Sequence, residues 1–110
     1  MIYGESKFQE NIITALKLNK ITVFSVPNGT KLKITQAWKA KREGMMSGVS
    51  DLIILLPKRA IFVEIKNPNG KGRQSPTQKE FQDTVTNLGF EYKIWDKWEQ
   101  VQEFIKEVRQ

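Results

Sequence analysis

Cysteine and histidine are both missing from this 110-residue chain. Without cysteine there is no disulfide frame and no thiol chemistry. Without histidine, zinc sites of the usual kind, Ser-His triads and histidine general bases are excluded. No apolar run approaches the roughly 18–20 residues needed to span a bilayer, so no membrane partner is expected. Met1-Ile2-Tyr3-Gly4-Glu5 lacks the basic and apolar regions of an export signal, which leads us to expect a cytoplasmic protein. Acids are the scarcer charge: 12 Asp and Glu stand against 18 Lys and Arg, a net charge of +6. A surplus of that size favours a polyanionic partner, nucleic acid first, with a basic surface serving solubility as the plainer alternative. Enzymatic chemistry here must run on carboxylates, lysine, amides, hydroxyls and metal-activated water.

The length suits one domain over residues 1–110, and 39% hydrophobic with 27% charged residues suits a globular core. Phe8, Ile12, Ala15 and Leu16 repeat at helical spacing and predict a helix over 5–18, capped by Ser6 with Gln9 or by Gly4. A short strand over 21–26 ends at the turn signal Pro27-Asn28-Gly29. Residues 31–43 are basic and less regular, with Trp38 among lysines, and predict a short helix. A loop over 44–48 leads to strand 50–56; Pro57-Lys58-Arg59 turns the chain, and strand 60–66 returns as an antiparallel hairpin. After a polar loop over 67–74, Ser75-Pro76-Thr77-Gln78 signals a helix with Phe81, Val85 and Leu88 buried and Gly89 as its stop. Strand 90–95 follows. Asp96 with Glu99 then starts a last helix that buries Trp98, Val101, Phe104 or Ile105, and Val108. The order predicts an α/β fold, a small mixed β-sheet flanked by helices.

The hairpin carries the most informative residues. Asp51 opens the apolar run 51–56, and Glu64-Ile65-Lys66 closes the run 60–66. Charges seldom sit in such strands without partners, because burying an unpaired charge is costly. In an antiparallel hairpin the start of one strand lies opposite the end of the other, which brings Asp51 towards Glu64 and Lys66. Lys66 points to the same face as Glu64, two residues before it. Two carboxylates make an oxygen-rich site of the kind magnesium prefers, and an ammonium group beside them can neutralise a phosphate. The pattern implies metal-dependent phosphodiester cleavage; the plain alternative is two solvated acids at strand ends.

Asp51, twelve intervening residues, then Glu64-Ile65-Lys66 resembles the PD-(D/E)XK nuclease superfamily. Gly44-Met45-Met46-Ser47-Gly48-Val49-Ser50-Asp51-Leu52-Ile53, Phe62-Val63-Glu64-Ile65-Lys66-Asn67-Pro68 and Ser75-Pro76-Thr77-Gln78 are similar to the successive motifs of its VRR-NUC branch. With Pro27-Asn28-Gly29 and the closing strand and helix, the likeness covers nearly the whole chain. It looks like a stand-alone VRR-NUC domain of the bacteriophage or prophage type. Two positions depart from the pattern. The proline before the aspartate is Ser50, and the leucine before Ser-x-x-Gln is Gln74, which removes a loop anchor.

The resemblance implies a restriction-endonuclease-like core and an Mg²⁺- or Mn²⁺-dependent deoxyribonuclease. Asp51, Glu64 and the Ile65 carbonyl would hold the metal, and Lys66 would orient the attacking water. Gln78 has two readings, helix cap or contact with the scissile phosphate. The first helix should add one acid: Glu5 projects within the apolar stripe, whereas Glu10 becomes the nearer helical acid if Ser6 is the cap. Lys31, Lys33, Lys39, Lys41 and Arg42 form one candidate nucleic-acid-binding group, with Lys71 and Arg73 as another. Trp38 either packs in the core or stacks on a base. No element resembles a major-groove reading helix, so recognition of DNA shape is expected. The family implies branched DNA, a Holliday junction or flap, as substrate, and paired cuts suggest a homodimer with its interface on the later elements. The rivals are a non-catalytic basic nucleic-acid-binding domain and an RNA-directed nuclease.

Overall fold

The computed structural model describes residues 4–27 and 33–109. Helix α1 (Glu5–Leu18) leads to β1 (Thr22–Ser25), α2 (Ile34–Arg42), β2 (Leu52–Leu56), β3 (Arg59–Ile65), α3 (Pro76–Asn87), β4 (Glu91–Trp95) and α4 (Trp98–Val108). The strands form one four-stranded sheet in the order β1-β2-β3-β4, antiparallel except for the parallel β3–β4 pair. This is the mixed α/β architecture that the sequence pattern predicts. Asn28 and Gly29 of the expected turn, and Lys31, lie outside the described residues.

Each element follows from local chemistry. Gly4, not Ser6, caps α1, accepting the Phe8 N–H at 3.1 Å, so Glu5 is the first helical residue. Pro57 and Lys58 turn β2 into β3 with Leu56 opposite Arg59, and Lys58 takes a left-handed φ of 59°. Ser75 caps α3 as expected, its hydroxyl accepting the Gln78 N–H at 3.2 Å. The start of α4 differs from expectation. Lys97 is its cap residue, and the Gln100 side chain accepts the N–H groups of Asp96 and Lys97 at 2.8 and 2.9 Å, in place of an Asp96 and Glu99 pair. An amide oxygen satisfies the orphan donors there without adding charge.

Strand alternation separates two packing faces. On one, Phe8, Ile12 and Leu16 of α1 meet Leu52, Ile54, Ile61, Val63 and Ile65 of the hairpin, together with Trp95, Val101 and Phe104. On the other, Phe62 packs edge-on against Phe81 of α3 and against Phe90, and Phe81 against Tyr92. Val85 is buried in α3, but Leu88 is 70% exposed, against expectation. The helix closes at Asn87, Leu88 falls at its C-cap, and Phe90 fills the apolar position beyond the Gly89 turn. No described helix is long and apolar enough to cross a membrane.

Candidate active site at the end of the hairpin

The β2–β3 register places Leu52 opposite Val63, so the residues just beyond this pair bring Asp51 beside the end of β3. Asp51 Oδ2 accepts the Ile65 N–H at 2.7 Å, which latches the Asp51 side chain to the neighbouring strand. Glu64 is only 1% exposed. Its Oε1 accepts the Tyr92 hydroxyl at 2.5 Å and the Gln74 amide at 3.3 Å. Its Oε2 is buried without a hydrogen bond and meets the Lys66 ammonium group at 3.4 Å. Alternation thus delivers Glu64 and Lys66 to one face.

Lys66 is held from its other side by Gln78, whose Oε1 accepts Lys66 Nζ at 2.9 Å and the Ser75 N–H at 2.8 Å. Helix capping and contact with the site are therefore one arrangement: the cap fixes the amide that holds the lysine. Gly48 makes this possible. Its φ is +81°, and a Cβ there would overlap the Thr77 carbonyl and stand 2.8 Å from the Gln78 backbone nitrogen. The loop carrying Asp51 packs directly on the first turn of α3 because that position has no side chain.

Asp51, Glu64, Glu5 and Lys66 share one electrostatic field. Burial pushes the Asp51 carboxyl up, and the Glu64 charge adds to this; the Ile65 hydrogen bond and Lys66 oppose it. Glu5 is also pushed up, by burial first, then by Asp51 and Glu64, with Lys66 acting the other way. Burial and the Glu64 hydrogen bond hold the Tyr92 hydroxyl far above its usual range, so it remains a proton donor at neutral pH. Glu5 and Glu10 both line an open groove of about 980 Å³ with Asp51. Both side chains are exposed, and of the two it is Glu5 that feels the Asp51 charge.

The donor set suits a hard divalent cation. Glu64 Oε2 is a buried, unbonded carboxylate oxygen, and the Ile65 carbonyl is part of the same strand end. Among the described residues no group of three acids could hold an ion. Such an incomplete oxygen shell fits Mg²⁺, which retains several waters.

The two basic groups lie apart. Lys33, Lys39, Lys41 and Arg42 are exposed on and beside α2, while Lys71 and Arg73 are exposed on the loop between β3 and α3. Arg73 lines a smaller cavity of about 240 Å³ with Glu64, Lys66 and Gln74. Trp38 is 67% exposed, which excludes the core reading.

The sequence pattern did not single out Tyr92, Gln82 or the role of Gln74. The missing leucine is no lost anchor, because Gln74 Nε2 reaches Gln82 Oε1 at 2.8 Å as well as Glu64. Tyr92 faces Phe62 across the parallel pair, on the Glu64 side of the sheet. Period-two alternation on β4 offered that signal, but only once the β3–β4 register is known.

A family model described as VRR-NUC domain matches residues 5–96. A solved structure titled "VRR_NUC domain protein" superposes with a TM-score of 0.75 at 22% identity, covering 100% of this chain and 88% of that one. Another, titled "VRR_NUC domain", gives 0.68 at 20% identity, covering 93% and 94% of the respective chains. No curated protein sequence matches.

Proposed function

The chain belongs to the VRR-NUC domain family, and from that premise we propose that it is a divalent-metal-dependent DNA endonuclease of the PD-(D/E)XK superfamily. The observation that carries the reading is Glu64: buried, tied at Oε1, unbonded at Oε2 and adjacent to a lysine held in place by Gln78. A carboxylate oxygen kept dry and unbonded is costly unless a ligand completes it.

In this reading Glu64 Oε2, Asp51 and the Ile65 carbonyl hold Mg²⁺ or Mn²⁺, with Glu5 the nearest further acid. The cation, when bound, supplies Lewis-acid polarisation of the phosphoryl group and activation of water. Tyr92 and Gln74 keep Glu64 oriented by occupying its other oxygen. Lys66 presents a compact positive charge to the phosphate, and Gln78 stops that ammonium from swinging away. Lys71 and Arg73 meet flanking phosphates and set the register of the substrate. Hydrolysis adds water across the phosphodiester: one P–O bond forms, the P–O bond to a sugar oxygen breaks, and that oxygen takes a proton.

The family membership supports branched DNA, a Holliday junction or flap, as the preferred substrate. Paired cuts across a junction favour a homodimer. We further read residues 1–110 as one domain, of the bacteriophage or prophage type, acting in the cytoplasm. The test is cleavage of labelled duplex, flap and four-way-junction DNA, and matched RNA, in Mg²⁺ or Mn²⁺, with Glu64→Gln beside wild type. Metal-dependent cutting lost in Glu64→Gln, with binding retained, is expected. A wild type that binds every substrate and cuts none in either metal would show a non-catalytic binding domain instead.

A further inference from the structure

We propose that α2 is a nucleic-acid arm that stacks Trp38 on an unpaired base, so that the substrate carries a break in base pairing near the cut. The proposal builds on the nuclease reading and adds a contact outside the metal centre. Unlike α1, α3 and α4, α2 buries no side chain. Ile34 is 74% and Trp38 67% exposed. At about 100° per residue these two share a stripe, with Lys41 on one flank and Arg42 on the other.

Charge identifies the occupant. Lys33, Lys39, Lys41 and Arg42 lie on or beside this helix, and Ile34–Arg42 contains no acid. Among the described residues none of these four is ion-paired. A second copy docked symmetrically on the stripe would set this cationic face against itself. A polyanion neutralises it and releases counterions. Within that polyanion the indole needs an open base face, which an intact duplex does not offer and an unpaired nucleotide does.

The arm is also short enough to serve the same substrate segment as the site. Four helical steps of about 1.5 Å and nine extended residues of at most about 3.6 Å limit the distance from Trp38 to Asp51 to roughly 38 Å. That bound is close to one turn of duplex, about 34–36 Å.

The experiment is fluorescence anisotropy in EDTA, with labelled intact duplex and the same duplex carrying a single-stranded gap. Wild type is expected to prefer the gapped substrate. Trp38→Ala should weaken gapped binding roughly 5- to 150-fold with little change on intact duplex, the range that base stacking commands. Trp38→Phe should restore most of the preference. The pair Lys41→Gln and Arg42→Gln should weaken both substrates and lower the salt slope by about 0.9 for each phosphate no longer neutralised. Equal effects of Trp38→Ala on both substrates, or none, would overturn the stacking arm. So would a fall in sedimentation mass on Trp38→Ala, because a second copy would then be what covers the helix. Binding in EDTA needs no cleavage. Absent cutting by wild type in Mg²⁺ and Mn²⁺ therefore sinks the nuclease reading alone, and an insensitive Trp38 in a cutting enzyme sinks only the arm.

Discussion

Around Glu64 the polar groups are packed together: Tyr92, Gln74 and Lys66 surround one carboxylate that is 1% exposed, and its Oε2 is left without a hydrogen bond. Along α2 the cations stand in water, and the large apolar side chains among them, Ile34 and Trp38, are exposed as well. The first region uses burial to fix geometry, since in a low-dielectric setting misplaced partners are costly. The second uses exposure, since long-range attraction and stacking need surface that a partner can reach. In the proposed reading chemistry belongs to the hairpin end and capture to the arm, and variants in each region should separate the two.

The largest effect is expected from Glu64→Gln. Loss of the charge proposed to hold the metal should remove several kcal/mol of transition-state stabilisation, about 10³-fold in cleavage rate, while anisotropy should show DNA binding within a few-fold of wild type. If binding collapses along with cleavage, the division between the two regions is broken.

Gly48→Ala comes next, and it acts through the fold. The left-handed φ costs about 1–2 kcal/mol for alanine, and pushing back the Thr77 backbone costs about 1–3 more. A fall in Tm of at least about 8 °C follows for a domain of this size. Because Thr77 precedes Gln78, cleavage measured well below Tm should also drop. An unchanged Tm would mean that the Asp51 loop does not rest on α3.

Tyr92→Phe sharpens the comparison within the site. The ring stays packed on Phe81, but the hydrogen bond to Glu64 Oε1 is removed. Partners of metal-holding groups typically command about 10- to 100-fold in metal affinity. Titration of Mn²⁺ by electron paramagnetic resonance should show that weakening, with kcat largely recovered at saturating metal. Equal Mn²⁺ affinity in the two proteins would make Tyr92 a packing residue only.

Much of this was legible in the chain because short-range periodicity encodes it. The α1 stripe, the hairpin, the Ser75 cap and the shared face of Glu64 and Lys66 depend on spacings of two to four residues or on a two-residue turn. What escaped depends on register between distant segments. Tyr92 reaches Glu64 across 28 positions, and Gln74 bonds to Glu64 and Gln82 through a loop whose path no local rule dictates. Leu88 was misplaced for a related reason: helical spacing marks it as buried, but the helix ends one residue too early. The exposure of Trp38 is likewise a tertiary fact, decided by what does not pack on α2.

The smallest effect is expected from Asp51→Asn, measured as stability in EDTA. Burial and the Glu64 charge raise the Asp51 pKa in the folded state. The fold therefore favours the protonated acid, and this contribution to stability is complete below the unfolded value of about 3.9. It is lost as pH rises through the higher folded pKa, leaving the ionised carboxylate a net burden at neutral pH. Asparagine keeps an oxygen for the Ile65 N–H and removes the charge, so Tm in EDTA at pH 7 should rise by a few degrees. Addition of Mg²⁺ should raise the wild-type Tm and leave the variant nearly unmoved, because the repulsion that a cation relieves is then gone. As the pH falls through the raised folded pKa towards the unfolded value, the wild type should approach the variant, which itself changes less. A variant less stable than wild type in EDTA at pH 7 would show that the Ile65 latch outweighs the repulsion. Asp51 would then hold the strand end together before it serves any ion, and the site would be closer to the structural logic of the core than to the poised charge proposed for it.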